Sequence, residues 1–88
     1  MSYHLDFSKQ AKNDIDFHKK SGNKTTLKKL QVLLNEIMEH PFTGSGKPEA
    51  LKHELSGKWS RRVNLEHRLV YEVTENTILI HSLKGHYQ

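Results

Sequence analysis

Between Thr25 and His40 the apolar residues fall at Leu27, Leu30, Leu33, Leu34, Ile37 and Met38. This spacing gathers them on one face of a helix, which predicts a helix with that face in the core. Pro41 ends it, because proline has no N–H to give and disfavours helix in the residue before it. Upstream, Tyr3-His4-Leu5-Asp6-Phe7 alternates apolar and polar side chains, as a short half-buried strand does. Ser8 suits a helix N-cap. Lys9 to Lys20 reads as a weakly amphipathic helix carrying Ala11, Ile15 and His18 at helical spacing, with Asp14 and His18, and Asp16 and Lys20, one turn apart. Ser21-Gly22-Asn23 interrupts the pattern, Gly22 as a C-terminal stop and Asn23 as the cap of the next helix.

Past Pro41 the run PFTGSGKP reads as a loop, and the period then shifts from helical to alternating. Leu51 to Leu55 predicts a short strand. Lys58 to Leu65 sets Trp59, Arg61, Val63 and Leu65 against Ser60, Arg62 and Asn64. Arg68 to Thr74 sets Leu69, Tyr71 and Val73 against Arg68, Val70 and Glu72, and Thr77 to Lys84 closes the series. The links Ser56-Gly57, Glu66-His67 and Glu75-Asn76 are short enough for antiparallel hairpins. The expected fold is α+β: an N-terminal strand and two helices packed on one face of a mainly antiparallel β-sheet. With 88 residues, a single domain spanning 1–88 is expected.

Charge adds a partner to this picture. Lys plus Arg number 14 against 10 Asp plus Glu, and the pI is near 9.4, a balance that suits a polyanion, either nucleic acid or an acidic protein. The absence of cysteine excludes disulfides, thiolate metal sites and cysteine nucleophiles. MSYHLDFSKQ has no apolar run of the kind a signal peptide needs, and no window reaches the length of a membrane span, so a cytoplasmic address is expected.

The chemistry concentrates between Gly46 and Val73. Glu49 is an acid in a Gly/Pro turn between Lys47 and Lys52, and a turn leading into a strand can aim it across the neighbouring sheet face. Arg61 and Arg62 form a basic pair on a strand, and Arg68 follows a turn. If Leu69, Tyr71 and Val73 face the helices, Arg68 faces away with Glu72, and Arg62 shares its face with Ser60 and Asn64. Such arginines are either solvated, paired with Glu72 and Glu75, or set to bind phosphate. His86, behind the apolar last strand, is placed to donate a proton. An acid, fixed cations and a histidine suffice to cut RNA without a metal. No metal site or cofactor is expected: His53-Glu54 opens like a zinc-protease motif, but Gly57 stands where the second histidine is required. GSGKP lacks the spacing and following helix of a phosphate loop.

The run PFTGSGKPEALKHELSGKWSRRVNLEHRLVYEVT, with the terminal HY, resembles the YoeB toxins of YoeB–YefM toxin–antitoxin systems, in the RelE superfamily. The pieces KPE-x-LK, LSG-x-WSRR, EHRLVY and HY stand in that family's order and spacing, while the first half matches in pattern only. The resemblance implies a ribosome-dependent mRNA endonuclease that enters the A site and cuts the codon there by attack of a ribose 2′-hydroxyl, without a metal. It implies Glu49 as general base, His86 as general acid and Arg68 as the stabiliser of charge on the phosphate, with Lys52, Arg62 and Tyr87 completing the site. Lys47, beside Glu49, joins Lys52 and Arg62 as a substrate-binding candidate. The resemblance also implies a YefM-like acidic antitoxin and a homodimer. Departures from the family are Ala50 where proline is frequent, SLKG before HY, and Gln88 after it. A degenerate, non-catalytic module that binds ribosome, RNA or antitoxin is the competing expectation.

Overall fold

The computed structural model describes residues 3–85. Strand β1 (His4–Phe7) leads into helices α1 (Lys9–Ser21) and α2 (Lys24–Glu39). Strands β2 (Glu49–Ala50), β3 (Lys58–Arg62), β4 (Arg68–Val73) and β5 (Thr77–Ser82) follow. The sheet order is β1-β5-β4-β3-β2; β1 runs parallel to β5 and every other pairing is antiparallel. Two helices on a mixed five-strand sheet make this an α+β fold, as the sequence pattern predicts.

Local signals set the helix boundaries. Ser8 Oγ accepts from the Ala11 amide at 3.0 Å and donates to the His81 carbonyl at 2.8 Å, so one side chain caps α1 and ties its start to β5. Gly22 closes α1, and Asn23 Oδ1 caps α2 through the Thr26 amide at 3.0 Å. The apolar stripe of α2 buries Leu30, Leu33 and Ile37 against Leu69, Tyr71, Ile78 and Ile80 of the sheet, with Ala11 of α1 in the same cluster. Burying each such large side chain stabilises the fold by roughly 1.5–3 kcal/mol.

Three expected strands are shorter or elsewhere. Leu51 to Leu55 is not a strand. Pairing to β3 begins earlier, at Glu49, and the chain then winds into a 3-10 turn (His53–Leu55) in which Leu55 and Ser56 donate to the carbonyls of Lys52 and His53. The strand expected to reach Leu65 ends at Arg62. Asn64 Oδ1 accepts the amides of Glu66 at 2.9 Å and His67 at 2.8 Å, which curls the chain into a turn and leaves Leu65 87% exposed. The last strand stops at Ser82, because the Leu83 amide turns to a side chain of α1.

Candidate active site

Strand register decides which side chains meet. Glu49 pairs with Ser60, Ser60 with Val70, and Arg62 with Arg68. Residues directly opposite each other share a face, so Glu49, Arg62 and Arg68 lie on one side of the sheet, away from the helices. Cβ atoms of directly paired residues such as Arg62 and Arg68 are about 4.5–5.5 Å apart, and diagonal neighbours such as Glu49 and Arg62 are about 7–8 Å apart. Two guanidiniums and a carboxylate therefore converge at one end of the sheet. Arg62 and Glu49 are exposed and Arg68 is half-buried. Lys47 and Lys52 are exposed on either side of the edge strand β2. Ser60 lies beneath this group, fully buried, and its hydroxyl has no hydrogen-bond partner among the described residues.

His86 and Tyr87 lie outside the described residues. The residue before them is fixed at the site: the Gly85 carbonyl accepts from the Arg68 amide at 2.9 Å, and the Gly85 amide donates to His67 Nδ1 at 3.0 Å. The chain leaves position 85 beside Arg68.

The basic pair divides its labour. Arg61 is fully buried and paired with Glu36. Its alternation with Trp59 and Val63 turns it toward the helices. Every guanidinium N–H there finds an acceptor: the Tyr71 hydroxyl at 3.1 Å, Glu36 Oε1 at 2.9 Å, and the carbonyls of Ser45, His40 and Thr43. Tyr71 in turn donates to the Pro41 carbonyl at 2.6 Å. Burial raises the Tyr71 phenol above its ordinary value, outweighing Arg61, so it remains a neutral donor. One cation thus gathers the loop from His40 to Ser45, and the loop delivers Glu49. Gly46 is needed here: its φ is +80°, and a Cβ would stand 2.9 Å from the Arg62 carbonyl oxygen. The Gly46 carbonyl accepts from the Arg62 amide at 2.7 Å, and Lys47 follows with a φ of +52°. Residues of this loop are placed by a core arginine that charge counting reads as surface.

Glu36 is the anionic end of this network. The Ser45 amide and hydroxyl, and then Arg61, hold its carboxyl below the usual carboxylate range, against partial burial that pushes the other way. A carboxyl depressed in the folded state stabilises it fully above the unfolded value, and that contribution disappears as pH falls through the lower folded value. Urea unfolding of the protein and of Glu36→Gln should therefore differ most near neutrality. The gap should narrow only on acidification below about pH 4.3, the ordinary glutamate value. A gap independent of pH would remove the charge from this role.

On the helix-free face Glu72 accepts from His81 Nε2 at 2.9 Å. Among the described residues, no group of three or more His, Cys, Asp or Glu side chains could hold a metal ion. No described helix is long and apolar enough to cross a membrane. Arg62 and Arg68 present forked donors suited to phosphate oxygens, and Glu49 is an acceptor for a proton.

Comparison with known proteins places the chain among relatives. A family model described as "YoeB-like toxin of bacterial type II toxin-antitoxin system" matches residues 7–87. Toxin YoeB of Synechocystis sp. is 51% identical over 67 residues, covering 76% of this chain and 78% of that protein. The YoeB dimer from Staphylococcus aureus superimposes with a TM-score of 0.87 at 43% identity, covering 99% of this chain and 100% of that one. The toxin of the Staphylococcus aureus YoeB–YefM complex gives 0.85 at 44% identity, with the same coverage. The chain belongs to the family of YoeB-like toxins of bacterial type II toxin–antitoxin systems.

Proposed function

We propose that this chain is a ribosome-dependent mRNA endonuclease that cuts the codon in the A site and thereby stops translation. The observation that carries the reading is the convergence of Glu49, Arg62 and Arg68 on one sheet face, with Gly85 hydrogen-bonded to the Arg68 amide. In the proposed reaction Glu49 takes the proton from a ribose 2′-hydroxyl, and the oxygen attacks the adjacent phosphorus. The bond to the 5′ oxygen breaks, and His86 returns a proton to that oxygen. The products are a 2′,3′-cyclic phosphate and a 5′-hydroxyl, and proton transfers of this kind are each worth about 10²–10⁴-fold in rate. Charge grows on the phosphate in the transition state, where Arg68 and Arg62 bind it better than in the ground state. No step requires a metal or cofactor. In this reading Tyr87 supplies an aromatic ring for stacking on a splayed base, and Lys47 and Lys52 hold neighbouring phosphates.

An active nuclease of this kind requires an inhibitor. The complex of the Staphylococcus aureus relative with YefM supports an acidic, YefM-like antitoxin as partner, and the dimer of that relative supports a homodimer. A single domain acting on cytoplasmic ribosomes fits this reading. Cell-free translation with primer extension tests it: the protein should create breaks within the codon at the A site. Intact mRNA together with undiminished translation would overturn the proposal, and ribosome or RNA binding without breaks would mark a non-catalytic module.

A further inference from the structure

Helix α1 carries two buried polar side chains that its amphipathic pattern does not require. Asp14 is 2% exposed and His18 is 1% exposed, one turn apart. Both reach the segment after β5. Asp14 Oδ2 accepts from the Leu83 amide at 2.9 Å, while Oδ1 accepts from Gln10 Nε2 at 2.7 Å. His18 Nε2 lies 2.8 Å from the Leu83 carbonyl; a carbonyl only accepts, so Nε2 carries the proton. From the β3–β4 turn, His67 Nδ1 accepts from the Gly85 amide, and its ring meets that of His18 edge to face at 4.9 Å. On the outer side Lys84 Nζ sits 4.1 Å from the centre of the Phe17 ring.

These contacts do more than end a strand. Ladder pairing to β4 stops at Ser82, and beyond it the backbone of 83–85 is held by side chains of α1 and the turn, with the Arg68 amide on Gly85. Buried polar side chains of this kind are retained where their hydrogen bonds fix one arrangement, since leaving any member unpaired is costly. The arrangement fixed here is the point at which the chain departs toward His86.

We propose that Asp14 and His18, assisted by His67, are positioning residues for cleavage, which anchor Leu83 and Gly85 and so fix, beside Arg68, the point from which the chain continues to His86. The inference rests on the functional reading above, in which His86 gives the proton. A proton donor displaced by an ångström loses most of its rate advantage, although substrate still binds.

The test is a double-mutant cycle on ribosome-bound mRNA. His18→Leu removes the donor to Leu83 while keeping apolar volume, and His18→Gln restores an N–H. His18→Leu should lower kcat by about 10–100-fold with KM for programmed ribosomes unchanged, and His18→Gln should recover most of the loss. In a His86→Ala protein the same His18→Leu change should have no further effect, because both act through one proton transfer. Where His18→Leu does not melt cooperatively, His67→Leu, whose ring is only half-buried, enters the same cycle in its place. Normal kcat in the folded His18→Leu and His67→Leu proteins, beside a slow His86→Ala protein, would overturn the positioning role and leave the functional reading standing. An equal loss with and without His86 would overturn it too. Normal cutting by His86→Ala would instead remove the functional reading and this role with it.

Discussion

Glu49→Ala is expected to slow mRNA cleavage by about 10²–10⁴-fold, and His86→Ala to fall in the same range. Arg68→Ala should cost at least as much, through lost stabilisation of charge on the phosphate. The register explains why these effects should be catalytic and not structural. Glu49 is exposed on a two-residue edge strand, and its side chain faces away from the helices, so its truncation removes no core contact. Arg68 belongs to β4 through its backbone, which alanine retains: its amide would still donate to the Gly85 carbonyl. Arg68→Lys should recover little, since a single ammonium does not reproduce the two-pronged grip of guanidinium on phosphate oxygens. The measurement is single-turnover cleavage on programmed ribosomes, with the melting temperature of each variant as control. A Glu49→Ala protein that cuts at the normal rate would eliminate the proposed base.

The second large effect separates two adjacent arginines. Arg61→Ala should destabilise the fold by about 3–5 kcal/mol, because a fully buried side chain is lost and several hydrogen-bond acceptors lose their shared donor at once. It would leave Glu36, the Tyr71 hydroxyl and the carbonyls of His40, Thr43 and Ser45 without their shared donor. For a domain whose total stability is on the order of 5–15 kcal/mol, that is a large share of the whole. Arg62→Ala, one residue along and exposed, should change stability by no more than about 0.5 kcal/mol while weakening cleavage. Urea unfolding of the two variants decides the matter. Equal stabilities would mean that the loop from His40 to Ser45 holds itself, and that Arg61 is not its organiser.

Much of this molecule is legible in its residue pattern. The stripe from Leu27 to Met38 and the punctuation by Ser8, Gly22, Asn23 and Pro41 mark both helices, because caps and periodicity are local properties. The alternation around Arg62 and Arg68 assigns them to the helix-free face, as the register bears out. What escapes a linear reading depends on partners distant in sequence. Arg61 looks like surface charge until Glu36 and three loop carbonyls, all earlier in the chain, close around it. Its position in line with Trp59 and Val63 is the one local signal of its burial. Asp14 and His18 read as a helical pair, yet their partner Leu83 lies 69 and 65 residues away. The 3-10 turn at His53–Leu55 replaces an expected strand because short apolar runs do not distinguish the two.

If the chain cuts RNA through the 2′-hydroxyl next to the scissile phosphate, an mRNA with one 2′-deoxynucleotide immediately 5′ to the mapped break should resist it on programmed ribosomes. The all-ribose message should yield a 2′,3′-cyclic phosphate and a 5′-hydroxyl at that position, while the deoxy message stays whole there although the protein binds both complexes equally. Cleavage of the deoxy message at the normal rate would rule out attack by the 2′-hydroxyl.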